Sequence, residues 1–374
     1  MFDVLVHLVR NRARLVTKNE LLDAVWGDRF VSESALTSRL KAARRAVGDT
    51  GSEQRLIRTS FGRGYQFVGD VTELDAPAAP ASGAPSTPRS AADTALPTAI
   101  RFCTAPDGTR IAYAVTGDGP PLVKAANWMT HIDIDGANPV WRHWIEDLSA
   151  HHMLVRYDER GCGLSDWDIE HFDFEDWIDD LRLVVNDAAL DRFALLGVSQ
   201  GAAVAIAFAA RFPERVSHLV LLGSYGRGRL ARATTDEQRR EAALDLELAR
   251  VGWSRDDPSF RRVFTSQFLP DGSPEQWQAF DDLQRHTTSP DNAVRFLSTF
   301  GSIDVTALAP KVKCPTLLLQ SRGDLRQPLE RARELAALIP GSQLVPLPSR
   351  NHLLLGDEPA WPMFLAELER FLAD

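Results

Sequence analysis

The 374-residue sequence has no apolar run near the roughly 20 residues that a membrane-spanning helix requires, so no membrane partner is expected. It has three cysteines, Cys103, Cys162 and Cys314, scattered and without a CxxC pair. That pattern argues against a disulfide framework or a thiolate zinc site and fits a reducing compartment. There is no H-E-x-x-H spacing and no glycine-rich dinucleotide fingerprint after a first strand, so neither a metal nor a redox cofactor is expected. The opening Met-Phe-Asp-Val-Leu-Val-His lacks a basic segment followed by an apolar core and a small-residue cleavage site, and a cytoplasmic location is the expectation.

Charge is present in quantity but unevenly spread. Residues 1–72 hold 12 Lys/Arg against 8 Asp/Glu, whereas the rest of the chain is strongly acidic. A basic head on an acidic body suggests that only the head meets a polyanion. Between them, residues 75–98 (DAPAAPASGAPSTPRSAADTALPT) are rich in Ala, Pro and Ser and nearly free of large apolar side chains. Such a stretch cannot bury enough surface to offset the entropy of ordering, so it predicts a flexible linker. The expected domains are therefore 1–72, a linker over 73–98, and 99–374.

In the head, Phe2, Leu5, Val6, Leu8 and Val9 trace one helix face. Thr17 with Glu20 three residues on predicts a capped helix through Trp26. A third helix starts near Ser32 or Ser34, carries Leu36, Leu40, Ala43 and Val47 at helical spacing, and ends at Gly48. Its other face bears Arg39, Lys41, Arg44 and Arg45. Leu56–Thr59 and Tyr65–Val68, joined by Ser-Phe-Gly-Arg-Gly, read as a hairpin. The run TKNELLDAVWGDRFVSESALTSRLKAARRAVGD followed by LIRTSFGRGYQFVG resembles the winged helix-turn-helix effector domain of OmpR/PhoB-type transcription regulators, over residues 2–70. The resemblance implies DNA as partner. Ser34, Thr37, Ser38, Lys41 and Arg45 are then the groove-side candidates, and Arg58, Thr59, Arg63 and Tyr65 the wing candidates. The strands that precede the family's first helix, and its receiver domain, have no counterpart in the sequence, so the expected domain lacks those strands. Dyad operators would favour a homodimer; a head that serves only for docking or dimerisation stays open.

After the linker, short apolar runs alternate with helical ones: 100–104, Ile111–Val115, Pro121–Ala125, Met153–Tyr157, Phe193–Leu196, Val216–Leu222, Thr316–Gln320 and Gln343–Leu347. The alternation predicts a doubly wound, mostly parallel sheet of the α/β class. Residues 228–305 break the rhythm with helical periodicity alone, and predict a helical lid.

Gly197-Val198-Ser199-Gln200-Gly201 directly follows one apolar strand and precedes the helical run AAVAIAFAARF. A strand–turn–helix around G-x-S-x-G resembles the nucleophile elbow of α/β-hydrolases. A serine hydroxyl needs a base, and the base an orienting acid, which in this family follow in the order Ser, acid, His. Asp324 and His352 each lie just past a strand end and complete that set; Asp304 and Asp357 are the weaker acid candidates. The oxyanion donors would be the backbone N–H of Gln200 and, in the loop after the third strand, that of Trp128, where many relatives carry His-Gly and this chain has Asn127-Trp128.

Tyr157-Asp-Glu-Arg-Gly-Cys-Gly-Leu-Ser-Asp166 resembles the D-x-R-G-x-G-x-S segment of the proline-iminopeptidase and haloperoxidase-like branch, in which it is structural. Cys162 is accordingly read as packing. Trp128, Trp141, Trp144, Trp167 and Trp177 could line an acyl pocket, or fill the core or the lid contact. A serine nucleophile excludes the carboxylate-based dehalogenase chemistry of the fold. The expectation is a DNA-binding regulator fused to a serine hydrolase for an ester, thioester or amide, or alternatively a regulator whose hydrolase fold senses a ligand with little or no turnover.

Overall fold

The computed structural model describes residues 2–18, 20, 21, 40, 43, 44, 49, 50, 53–60, 63–69, 99–170 and 172–373. The chain divides into two compact units, Met1–Thr87 and Pro88–Asp374.

In the first unit, helix α1 (Phe2–Arg10) buries Val4 and Leu8 against Ile57, Tyr65 and Phe67 of a hairpin. That hairpin is β2 (Ile57–Ser60) with β3 (Gly64–Phe67). A two-residue strand not foreseen from the sequence, β1 (Val16–Thr17), pairs antiparallel with β3. Two residues are too few to show a period of two. The close approach requires glycine at position 64, where a Cβ would lie 2.0 Å from the Val16 carbonyl oxygen. Thr17 does cap, its hydroxyl accepting the Glu20 N–H at 3.2 Å.

Two expectations for the basic face and the wing change. Arg44 does not project freely. Its guanidinium donates to the Ile57 carbonyl at 2.9 Å and to the Thr59 hydroxyl at 2.7 Å, bracing the hairpin. Tyr65 is not on the wing surface but in the core, on the same strand face as Phe67. Arg58 and Arg63 are exposed. Ser34, Thr37, Ser38, Lys41 and Arg45 lie outside the described residues, as do most residues of the expected second and third helices and of the expected linker.

The second unit is built on an eight-stranded sheet. Its strands are β4 (Ala99–Thr104), β5 (Arg110–Thr116), β6 (Pro121–Lys124), β7 (Met153–Tyr157), β8 (Phe193–Val198), β9 (Val216–Leu222), β10 (Thr316–Ser321) and β11 (Gln343–Leu347). Their order is β11-β10-β9-β8-β6-β7-β5-β4. The pairs β4–β5 and β5–β7 are antiparallel and all others parallel. The central strands β8 and β10 are buried along their whole length, which is why they read as unbroken apolar runs and not as alternating ones.

Helices α2 (Ile132–Asp135), α3 (Arg142–Ser149), α4 (Phe174–Asp187), α5 (Gln200–Arg211), α10 (Leu329–Leu338) and α11 (Ala360–Ala373) fill the crossovers and flanks. Nearly every side chain of α5 is buried, as expected for a helix packed under the middle of the sheet.

Between β9 and β10 the chain leaves the sheet for four helices: α6 (Asp236–Gly252), α7 (Ser259–Phe268), α8 (Pro274–Thr287) and α9 (Pro290–Ser302). Capping boxes at Thr235 and Ser273 and a serine cap at Ser289 start three of them. The two ends of this excursion are tied together. Gly228 N–H donates to the Ile303 carbonyl, Val305 N–H to that of Gly226, and Ala231 N–H to that of Gly301, each at 2.8–2.9 Å. The helices thus form a lid on a short paired stem. Among the described residues no helix is long and apolar enough to cross a membrane.

Candidate active site

Ser199 stands between β8 and α5 with φ 55° and ψ −125°, a conformation that a non-glycine residue rarely adopts. The turn is held because the Ser199 N–H donates to the Leu222 carbonyl at 2.8 Å. Both flanking glycines are obligatory. A Cβ on Gly197 would lie 2.5 Å from the Ala202 Cα, and one on Gly201 2.5 Å from the Ala126 carbonyl oxygen. The half-buried serine faces a cleft closed above by the lid.

His352 follows β11 and is buried. Its Nδ1 lies 2.7 Å from Oδ2 of Asp324. The carboxylate of Asp324 is itself fixed. Oδ1 accepts the backbone N–H groups of Arg326 at 2.7 Å and Gln327 at 2.9 Å, and Oδ2 accepts the Gln320 side-chain amide at 3.0 Å. A carboxylate only accepts, so this network puts the hydrogen on Nδ1 and leaves Nε2 as a base. Nε2 has no hydrogen-bond partner among the described residues, Ser199 included.

The imidazole is held in place by its neighbours. The His352 backbone N–H donates to the Phe268 carbonyl at 2.8 Å, and the ring meets the Phe268 ring edge-on at 5.1 Å. On its other side the ring lies against Gly223, the residue after the Leu222 that holds the serine turn. The competing acids are engaged elsewhere: Asp304 accepts from Thr306, and Asp357 from Gln276.

The two candidate oxyanion donors are adjacent, and they are linked by a side chain whose role the sequence did not reveal. Gln200 opens α5, so its own N–H has no intrahelical acceptor. The Trp128 N–H donates to Oε1 of the Gln200 side chain at 3.1 Å. The Gln200 amide nitrogen in turn donates to Oε1 of buried Glu159. Burial pushes the Glu159 carboxyl up to about 8, against the opposing pull of the Lys124 ammonium. Lys124 caps the side chain of Asn127, whose amide donates back to the Trp128 carbonyl at 3.1 Å.

The segment around Arg160 is structural. Its guanidinium grips the buried Asp180 carboxylate through two bonds of 2.7 and 2.6 Å, and reaches Asp107 at 2.9 Å. Gly163 has φ +57°, and a Cβ there would lie 2.1 Å from the Asp158 carboxylate. Cys162 is buried, and burial holds its thiol well above the usual range, which suits packing and not nucleophilic attack. Of the five candidate tryptophans, Trp128 lines the cleft, stacked on Trp253 of the lid at 5.0 Å. Trp141 and Trp144 pack in the core, Trp177 stacks on Phe296, and Trp167 is partly exposed.

Comparison with known proteins agrees with this architecture. Residues 135–359 match the family model described as the alpha/beta hydrolase fold, and residues 1–67 match that of the transcriptional regulatory protein C-terminal domain. The chain is 30% identical over 240 residues to 2-hydroxy-6-oxo-2,4-heptadienoate hydrolase of Pseudomonas putida, covering 62% of this chain and 78% of that protein. It is 29% identical over 249 residues to a pimeloyl-acyl-carrier-protein methyl ester esterase of Nitrosomonas europaea, covering 65% and 92%. An esterase from Exiguobacterium antarcticum superimposes with a TM-score of 0.63 at 22% identity, over 73% of this chain and 99% of that one. The chain belongs to the α/β-hydrolase family, and it carries a regulatory domain of the OmpR/PhoB type ahead of the hydrolase fold.

Proposed function

We propose that the second unit is a serine hydrolase and that the first binds DNA, so that the protein is a cytoplasmic transcription regulator joined to an acyl-cleaving enzyme. The observation that carries the catalytic reading is the His352–Asp324 pair at 2.7 Å, with Nε2 left unpaired beside the turn that holds Ser199. In this reading Ser199 Oγ attacks the carbonyl carbon of an ester, thioester or amide, and its proton passes to Nε2 of His352. The bond to the leaving group breaks, and that group departs with the proton. Water then attacks the acyl-serine with His352 again as base, releasing the acid and restoring Ser199. Asp324 keeps the imidazole in its tautomer. The oxyanion takes the Gln200 N–H, and the Trp128 N–H once the Gln200 side chain gives way. Hydrolases and an esterase among the relatives support hydrolytic chemistry.

A second reading, a ligand sensor with little turnover, draws on one specific observation: the Trp128 donor is already occupied by Gln200 Oε1. A fluorophosphonate probe separates the two. Labelling of the full chain that is lost in Ser199→Ala, with unchanged melting temperature, supports the enzyme; a folded chain that takes no label supports the sensor.

For the head, Arg58 and Arg63 on the hairpin, with Ser34, Thr37, Ser38, Lys41 and Arg45, are the proposed DNA contacts, and a homodimer on a dyad operator the proposed assembly. Binding to random duplex titrated with salt tests this. Phosphate contacts make affinity fall steeply with salt, and a flat or absent response refutes it.

A further inference from the structure

We propose that the cleft over Ser199 takes acyl compounds that end in a carboxylate, and that Arg229 and Arg326 hold that carboxylate. The inference rests on the hydrolase reading only in placing the reactive carbonyl at Ser199.

The cleft leaves about 50 Å³ of room for the centres of water-sized molecules and opens to solvent. Around Ser199 it is lined by Gln200 and Trp128. Leu230, Leu297, Phe300 and Leu353 give it apolar walls, and Arg229, Arg326 and Asp245 are its charged lining. Both guanidiniums lean on the same carboxylate oxygen: Oδ2 of Asp245 is 3.2 Å from Arg229 Nη1 and 2.8 Å from Arg326 Nη1.

One negative charge between two positive ones leaves the pair a positive charge in excess. A third cation adds to it. Half-buried Arg232 donates to the Arg227 carbonyl and has no carboxylate partner among the described residues. Burial, with Arg229 and Arg331 close by, pulls its guanidinium down to about 10. Arg331 already has Glu334 at 2.9 Å, and Glu241, which acts on Arg229 from α6, is exposed to water.

Charges taken out of water are stable when paired. An anion entering the cleft restores that balance, and a planar carboxylate matches the guanidinium fork. Arg326 is pre-positioned, since the Gln267 side chain accepts from it at 2.9 Å and its guanidinium lies over the Phe268 ring at 5.3 Å. Apolar walls beside a cationic patch select a ligand with a hydrocarbon body between its carbonyl and its carboxylate.

The test uses the full chain and two matched series: monoethyl esters of the straight-chain diacids from glutarate to suberate, and neutral ethyl esters of the same chain lengths. Binding is measured by calorimetry on Ser199→Ala, which removes turnover from the readout. At the favoured length the monoanion should bind about tenfold or more tightly than its neutral counterpart, the scale of a hydrogen bond to a charged group. Adding Arg229→Gln should bring the two within about threefold, and Arg229→Lys should restore part of the gap. Equal binding at every length, or a preference that survives Arg229→Gln, overturns the proposal. Kinetics on the unmutated chain separate it from the catalytic reading. Hydrolysis of the neutral series with no preference for the monoanions leaves the hydrolase and removes the anion site. Preferential binding without hydrolysis, and without probe labelling of Ser199, leaves the anion site and removes the hydrolase.

Discussion

On the proposed hydrolase reading, replacing Gly223 with alanine should disable the site without replacing any of its reacting groups. Gly223 has φ +62°, and a Cβ built there would lie 2.8 Å from Cε1 and 3.1 Å from Nδ1 of His352. Ordinary contact between such atoms begins near ~3.5 Å, so the ring must retreat by on the order of 0.7 Å. It has nowhere to go. Nδ1 is bonded to Asp324, the His352 N–H is bonded to the Phe268 carbonyl, and the Phe268 ring abuts the imidazole. Moving a catalytic group by about 1 Å costs on the order of 100-fold in rate. The alanine also bears the left-handed backbone penalty of about 1–2 kcal/mol. Gly341→Ala isolates that second effect. Gly341 has φ +69° with nothing within 4 Å of its would-be Cβ, so this variant should lose about 1–2 kcal/mol of stability and keep its activity. The assay is kcat/KM on an ethyl ester together with the rate of fluorophosphonate labelling, alongside thermal melts. A folded Gly223→Ala chain that turns over within twofold of the parent would refute the argument. So would Gly341→Ala losing as much activity as Gly223→Ala.

Two further outcomes follow from buried carboxyl groups, with opposite signs. Glu159 has its folded pKa raised to about 8 by burial, so ionising it opposes folding, and stability is lost as pH rises from its ordinary value through 8. Glu159→Gln should therefore melt higher than the parent at pH 9 and close to it at pH 5; an equal difference at both values would contradict the assignment. Asp49 is the reverse case. Burial alone would raise it, but the N–H groups of Ile57, Leu56, Arg55 and Thr50 outweigh that and hold it at about 2. Its contribution is present above its ordinary pKa of 3.8 and lost as pH falls through 2. Asp49→Ala leaves four donors without this acceptor and should destabilise the first unit by on the order of 2–3 kcal/mol. Hydrogen exchange of the β2–β3 hairpin reads that loss, and unchanged protection would refute it.

What was legible in the sequence had short range. β8 is an unbroken apolar strand because it is covered on both faces, and the G-x-S-x-G turn follows it within one residue, so strand, elbow and helix could be read together. Asp324 and His352, which pair at 2.7 Å, are legible as candidates from chain order and from their places after β10 and β11. What was missed depends on distance across the fold. Glu159, Gln200 and Trp128 form one chain of contacts although 41 and 72 residues separate the successive pairs. The Arg229–Asp245–Arg326 group is assembled across 16 and 81 residues. Neither leaves a local pattern. Tyr65 is different, because a signal was available: it shares the period-two face of Phe67, and that alternation points inward. Among the candidate tryptophans only Trp128 lines the cleft, and the sequence left pocket, core and lid contact undivided for a related reason. Hydrophobicity predicts burial for all five, but only lid geometry brings Trp253 and Phe264 onto Trp128.

The departure at Asn127-Trp128 acquires a physical reason once the floor beneath it is considered. A loop that offers a backbone N–H to a transient oxyanion must be stiff, because a donor that reorients during reaction gives up most of its advantage. Here stiffness comes from side chains. Lys124, the last residue of β6, is buried and caps the Asn127 amide oxygen; the Asn127 amide nitrogen returns to the Trp128 carbonyl, and the Thr130 hydroxyl donates to the Asn127 carbonyl at 3.2 Å. A lysine in that position needs anions near it. Asp135, Asp158 and Glu159 are all buried close by, and Arg156 lies 3.8 Å from Asp135. Burial raises all three carboxyls, Asp135 to about 7 and Glu159 to about 8, which favours the neutral form of Glu159 at neutral pH. A neutral Glu159 can still accept from the Gln200 amide, which turns Oε1 of Gln200 toward the Trp128 donor. The glutamate of the Asp-Glu-Arg-Gly segment thus holds the side chain that occupies the Trp128 donor; on the proposed hydrolase reading, a substrate carbonyl would displace it.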